Sequence, residues 1–295
     1  MFTIFGIPGP LLFGQLLLGL INGAFYAMLS LGLAVIFGML NIINFAHGAL
    51  FMMGAFVSWM LLEYLGIGYF PALILAPLIV GAFGLVLEKT VVSRLYKLDH
   101  IYGLLLTFGL ALVIEGLFRN GYGSSGMPYR IPAALSGAVD LGFMFMPIYR
   151  GWVVLAAAVV CFLTWLIIEK TSLGATLRAA TENAPMVQAF GVNVPRLISL
   201  TYAGGVALAA FAGVLAAPIY SVNPNMGSNF INTVFAVVVI GGMGSILGSI
   251  LTGFGLGLIE GLTKVFYPQA SATVVFLVMV IVLLARPRGL FGKAV

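Results

Sequence analysis

Hydrophobic positions run along this chain in long blocks, not in alternation. Apolar stretches, nearly free of charge, occupy residues 11–62, 71–87, 101–118, 151–168, 197–218, 230–262 and 271–285. Residues 1–62 and 197–259 contain no Asp, Glu, Lys or Arg at all, so each holds two or more crossings at ~20 residues per span. Lipid offers backbone N–H and C=O groups no water, and the alternating pattern of a membrane barrel is absent, so these blocks predict helices. The expected fold class is an all-α polytopic integral membrane protein of about 8–9 transmembrane helices, two of them broken or re-entrant. Residues 1–295 read as a single transmembrane domain, with an external loop at 119–150 and a cytoplasmic loop at 170–196.

Composition agrees: 62% of residues are hydrophobic and 7% charged, whereas a soluble domain carries about a quarter charged residues. The pI of about 9.4 does not point to nucleic acid, because the basic residues collect in short loops. Lys89, Arg94 and Lys97 form one group, Lys170, Arg178 and Arg196 a second, and Arg286, Arg288 and Lys293 a third. The positive-inside rule places all three in the cytoplasm. Segment 119–150, rich in Gly, Pro, Ser and Tyr, then lies outside as a structured loop, and so does the charge-free stretch 221–228. Trp152 and Trp165 fall near the two ends of one span, as an interfacial aromatic belt requires. Reaching a cytoplasmic C-terminus from 221–228 takes an odd number of crossings, yet 230–285 has the length of two. The expected resolution is a break of 230–262 into unequal pieces, one of them short. The side of the N-terminus stays open. Residues 1–10 have no basic n-region and the apolar run behind them is too long for an h-region, so no cleaved signal peptide is expected. Cys161, the single cysteine, lies in an apolar run and reads as packing; no metal site is expected.

Two segments interrupt the apolar blocks. Residues 41–48 (NIINFAHG) bring Asn41, Asn44, His47 and Gly48 into a stretch of Leu, Ile, Phe and Met, and polar side chains at membrane depth face a bundle interior or a wet cavity. Residues 241–248 (GGMGSILG) bring Gly241, Gly242, Gly244 and Ser245, and each glycine weakens a helix by roughly 1 kcal/mol relative to Ala. Helix breaks in two halves of a chain offer unsatisfied backbone groups to a polar solute, which makes these eight residues candidates for a solute pathway. The competing role of Gly244, Gly248, Gly253, Gly257 and Gly261 is a small-residue face for close helix packing; that of Asn44 and His47 is interhelical hydrogen bonding. Glu115 and Arg119, and likewise Glu260 and Lys264, are spaced as i,i+4 pairs near span ends, where ion pairing at the interface is expected. With His47 the only titratable group well inside a charge-free block, coupling to an ion gradient is disfavoured.

In the loop 170–196, Thr181 can cap a short helix with Glu182 and Pro185 in its first turn and Gly191 at its end. Met186, Val187, Ala189 and Phe190 would give it an apolar surface suited to docking in a groove of another protein, the alternative being to lie on lipid headgroups. With these features the chain resembles the LivH-type permeases, membrane subunits of ATP-binding-cassette importers for branched-chain amino acids. The matching stretches are 41–54 (NIINFAHGALFMMG), 173–194 (LGATLRAATENAPMVQAFGVNV), 203–215 (AGGVALAAFAGVL), 241–248 and 286–292 (RPRGLFG). The resemblance implies that the loop is the segment that contacts the ATPase, with Arg178, Ala179, Ala180, Glu182, Met186, Phe190 and Gly191 as its coupling residues. Arg178 stands where the wider importer consensus has an acidic residue. It also implies a bacterial inner-membrane location, a second related permease, two cytoplasmic ATP-binding subunits and a periplasmic solute-binding protein. No G-x-x-x-x-G-K-[ST] occurs in the chain, so ATP and Mg are expected on the partners and no cofactor on this subunit. A passive channel or ion-coupled carrier for urea or another amino acid is the rival reading. A membrane enzyme is disfavoured, because no reactive cluster is visible.

Overall fold

The computed structural model describes residues 3–4, 7–40, 44–96, 100–142 and 144–292. The apolar blocks form helices α1 (Gly9–Leu40), α2 (Ala46–Leu65), α3 (Tyr69–Thr90), α4 (His100–Tyr122), α5 (Ile148–Lys170), α8 (Val194–Tyr220), α9 (Met226–Gly241), α10 (Ile246–Phe266) and α11 (Val274–Ala285). The loop after α5 supplies α6 (Ser172–Glu182) and α7 (Ala184–Ala189). Among the described residues seven helices (α1 to α5, α8 and α10) are long and apolar enough to cross a membrane, and α9 and α11 are shorter apolar helices of 16 and 12 residues. These stand beside the expected eight or nine spans.

With the basic loops taken as cytoplasmic, as the positive-inside rule expects, the course of the chain orders the helix ends. Gly14 of α1 packs beside Met144 of the external loop, while Gly38 shares a cleft with Ile168 and Arg178 of the basic loop. On that assignment the N-terminal end of α1 lies on the side of the 119–150 loop. At 1.5 Å per residue, α1 is about 48 Å long and overruns the ~30 Å hydrocarbon core. After the stretch at 221–228 come α9, α10 and α11, of which α10 is long and apolar enough to cross a membrane. The interrupted stretch is unequal as expected, with α9 at 16 residues against 21 for α10. The C-terminal tail then meets the α9–α10 turn: the N–H groups of Leu290 and Phe291 donate to Ile240 O at 2.8 Å and Gly241 O at 3.1 Å. Helix ends leave carbonyls unpaired, and this tail satisfies those of α9.

Since lipid tails are as apolar as the side chains, close packing holds the bundle together, and small residues permit it. A Cβ on Gly32 would lie 2.7 Å from Gly205 O, and one on Gly54 would lie 2.4 Å from Ala210 Cα. These approaches clamp α1 and α2 onto α8. Along the α1–α10 seam Gly19, Gly23 and Ala27 meet Gly253, Gly257 and Gly261, so the glycine row serves packing. Glu260 fastens the outer end of this seam, accepting from Tyr26 OH at 2.7 Å and pairing with Lys264 Nζ at 2.6 Å. The expected Glu260–Lys264 pair thus forms. The expected Glu115–Arg119 pair does not: Arg119 Nη2 donates instead to Asn225 Oδ1 at 2.6 Å, and Glu115 is in neither of the two ion pairs among the described residues.

Outside, the loop after α4 is ordered. Residues Ala138–Asp140 and Phe145–Pro147 pair as an antiparallel hairpin, and Met127 bridges to Val222. Tyr129 is buried beneath it and takes a hydrogen bond from Ser58 Oγ at 3.1 Å; burial raises its phenol above the usual range. Trp152 donates to Tyr69 OH at 3.1 Å at the outer end of α5, and Lys170 lies 5.6 Å from the centre of the Trp165 ring at the inner end.

Candidate solute pathway and coupling helices

The polar segment before α2 is drawn into the core. Asn44 is buried, and its Nδ2 donates to Tyr202 OH of α8 at 3.1 Å. His47 is fully buried, with Nε2 3.1 Å from Leu29 O. A carbonyl only accepts, so this nitrogen carries the proton. The ring fits because Gly32 has no side chain: a Cβ there would come within 3.0 Å of it. Asn44 Oδ1 and His47 Nδ1 have no hydrogen-bond partner among the described residues. Gly48 faces Gly227 of α9, where a Cβ would lie 2.7 Å from Gly227 O. Asn41 lies outside the described residues.

The glycine segment sits elsewhere. Gly242 and Gly244 turn the chain between α9 and α10 with φ of 100° and 82°, a region that side chains other than glycine rarely enter. Ser245 caps α10, its Oγ accepting from Gly248 N–H at 3.1 Å. Gly241 packs on Gly248, Gly242 on the tail at Gly292, and Gly244 on Gly38. His47 touches α1 at Gly32 and Gly244 touches it at Gly38, so about 9 Å of helix rise separates the two contacts. The structure does not bring the two segments together; each joins two helices, one in the middle of the bundle and one at its cytoplasmic end. Gly244 and Ser245 instead line a cytoplasmic cleft of about 350 Å³ with Gly38, Glu169, Arg178 and Phe291.

Around this cleft stand α6 and α7, which carry the expected coupling residues. Arg178 Nη1 donates to Ile168 O at 2.9 Å and lies 3.5 Å from Glu169 Oε2, locking α6 to the end of α5. Ala180 is buried against Val187 and Val194, whereas Ala179, Glu182 and Gly191 are exposed. The cap of the second helix differs from expectation. Thr181 belongs to α6 and its hydroxyl donates back to Arg178 O at 2.7 Å. Asn183 does the capping, accepting from Met186 N–H at 3.0 Å, with Pro185 in the first turn. Asx side chains outrank Thr at this position, and proline suits the first turn. Gly191, with φ of 85°, ends the turn, and Asn193 caps α8 directly afterwards. The apolar residues of α7 divide: Val187 is buried, while Met186 is 57% and Phe190 77% exposed.

Sequence reasoning passed over Glu88. Beside the loop cation Lys89 it looks like a surface charge, yet it is 2% exposed. Its carboxylate accepts from Ser199 Oγ of α8 at 2.6 Å and from Tyr96 OH. Tyr96 lies just beyond the span, and burial together with Glu88 pushes its phenol upward. The partner Ser199 is 111 residues away, so no local signal marks the site. A second cleft lies on the outer half of the bundle, between α2, α4 and α9, lined by Phe45, Gly48, Phe108, Glu115, Ser228 and Asn232 among others.

Residues 15–284 match the family described as "Branched-chain amino acid transport system / permease component". The chain belongs to this family. It is 31% identical to the high-affinity branched-chain amino acid transport system permease protein BraD of Pseudomonas aeruginosa, covering 95% of both chains. To the permease protein LivH of Salmonella typhimurium it is 29% identical, again over 95% of both. LivM of Escherichia coli, another permease protein of such a system, is 28% identical over 90% of this chain and 67% of its own length. No solved structure matches the chain. The seven span-like helices and these relatives make it a multi-pass membrane permease component.

Proposed function

We propose that this chain is the membrane-spanning permease subunit of an ATP-driven importer that moves leucine, isoleucine and valine across a bacterial inner membrane into the cytoplasm. It works beside a second, related permease and receives solute from a periplasmic binding protein. ATP and Mg are used by two cytoplasmic ATPase subunits, and the chain itself binds no cofactor. The observation that carries this reading is the helix pair α6–α7, held out on the cytoplasmic side with Phe190 77% exposed at its tip. An aromatic ring presented to water by a capped, braced helix is an anchor for a groove on a partner.

The bracing suggests how force is passed on. Arg178 ties α6 to α5, and α7 runs through the Asn193 cap straight into α8. The first turns of α8 carry Ser199 and Tyr202, which hold Glu88 and Asn44. Movement of the Phe190 tip therefore reaches the Asn44–His47–Gly48 segment through one rigid helix. We take the solute to pass from the outer cleft, whose floor includes Gly48, past the Asn44–His47 level, to the vestibule at Gly241, Gly242, Gly244 and Ser245. In the complex reconstituted into vesicles, Phe190→Asp should leave assembly and basal ATP hydrolysis in place while leucine uptake falls at least tenfold, the effect of losing about 1.4 kcal/mol or more at a hot spot. Unchanged ATP-driven uptake would refute the proposal.

A further inference from the structure

The exposed face at the start of α9 is polar. Asn225, Ser228, Asn229 and Asn232 are all exposed, and their spacing places them on one side of the helix. Amide side chains turned to hydrocarbon are unfavourable, so this face must meet water or protein. Opposite it, α4 presents Glu115, which is 7% exposed and lies beside Ser228. One helical turn toward the outside is Arg119, exposed and bound only through Asn225 among the polar contacts of the described residues. The remaining wall is apolar: Phe108 and Leu112, 50% and 55% exposed, with Ala111 and Ile231.

We propose that this cleft is a binding station for a zwitterionic α-amino acid with an aliphatic side chain, its ammonium at Glu115 and its carboxylate at Arg119. The inference rests on the importer reading above and adds the residues that grip the solute. An anion and a cation one turn apart on a helix face match the two charges of an α-amino acid, and an Arg fork suits a carboxylate. The cleft measures about 130 Å³. An apolar cavity of roughly 150 Å³ takes a benzene ring, so a four-carbon side chain fits against Phe108 and Leu112. Glu115 and Arg119 attract each other without direct contact, Glu115 held by Ser228 and Arg119 by Asn225, and a solute's two charges can exchange for these neutral partners. The half-exposed Phe108 and Leu112 leave the cleft open at the side.

The test uses the assembled complex in vesicles, supplied with leucine-loaded binding protein and ATP. Glu115→Gln and Arg119→Gln should each lower leucine uptake at least about tenfold, the range for losing a charge-assisted hydrogen bond, with binding-protein-stimulated ATP hydrolysis retained. Arg119→Lys, which keeps the charge, should recover most of the uptake, and Asn225→Ala, which removes only the protein partner of Arg119, should stay within about threefold of wild type. As an independent readout, Ser228→Cys in a Cys161→Ala background should react with a membrane-impermeant maleimide, more slowly when leucine-loaded binding protein and ATP are present than with leucine-free binding protein. Wild-type uptake that is unchanged in both charge variants, or labelling indifferent to leucine, would overturn the station. Absence of leucine uptake by the wild-type complex would instead overturn the importer reading on which it rests. Should a charge variant fail to assemble, the labelling result alone decides.

Discussion

Replacing Gly257 by Ala tests whether the α1–α10 seam is held by backbone contact. A Cβ at position 257 would lie 2.4 Å from Gly19 O and 2.4 Å from both Gly23 Cα and Gly23 N. All three are backbone atoms, so no side chain can rotate away, and the helices must part by about 1 Å to restore ordinary van der Waals distance. Parting α1 from α10 loosens the approaches at Gly19, Gly23 and Ala27 together, and overpacking of this kind costs about 1–3 kcal/mol. Gly255, two residues away on the same helix, is the control, because a Cβ there meets nothing within 4 Å. Ala in its place should stabilise the helix by a few tenths to about 1 kcal/mol. The two variants are compared by reversible unfolding in mixed micelles, with intact protein followed by size-exclusion chromatography. A decrease for Gly257→Ala against a neutral or positive change for Gly255→Ala is expected. Equal stability of the two would refute the view that glycine serves contact along this seam.

Two further perturbations probe the buried polar pairs. Tyr202→Phe removes the hydroxyl that accepts from Asn44 and should cost about 0.6–2 kcal/mol of unfolding free energy; adding Asn44→Ala should cost less than the sum of the singles, read from a double-mutant cycle by thermal unfolding. Glu88→Gln weakens the bonds from Ser199 and Tyr96 and should cost about 1–3 kcal/mol, with a non-additive cycle against Ser199→Ala, whereas additivity within experimental error would mean that the two groups do not interact.

The apolar blocks disclosed the helices because lipid forces backbone bonds to close within each helix, which makes composition alone a strong signal. Parity required a break after residue 228 into unequal pieces, since the basic C-terminus was expected inside, and α9 and α10 are unequal in length. What stayed hidden was long-range pairing. Glu88 and Ser199 are separated by 111 residues, and an acid beside Lys89 at the end of a span looks like any loop charge. Arg119 misled for the opposite reason: its i,i+4 spacing from Glu115 satisfies a local rule, but an external asparagine 106 residues on takes its guanidinium. The cap of α7 was legible in principle, because Pro185 points to Asn183 and not to Thr181 as the residue just ahead of the helix. The glycine segment at 241–245 was recognised as a break, but sequence cannot tell a break at mid-depth from a turn at the membrane face.

The distribution of small residues and polar residues divides the molecule into two mechanical parts. On one side α1, α2, α8 and α10 touch through glycines and alanines, and α9 joins them at Gly48–Gly227 and Gly241–Gly248, so close that any relative displacement meets backbone; interiors packed in this way move as units. On the other side α4 faces this unit across a cleft lined by Asn232, Ser228 and Glu115, where polar contacts can be exchanged for a solute or a partner at little net cost. On the proposed reading the rigid unit that includes α8 receives the push from α7, and it borders the cleft through Gly48. On the proposed reading, alternation between outward and inward access tilts the close-packed unit, α9 included, against α4, with the cleft changing width and the glycine seams unchanged. Crosslinks distinguish this from bending of the helices themselves: a short bridge across the α1–α10 seam should leave transport intact, whereas one between α4 and α9 across the cleft should stop it.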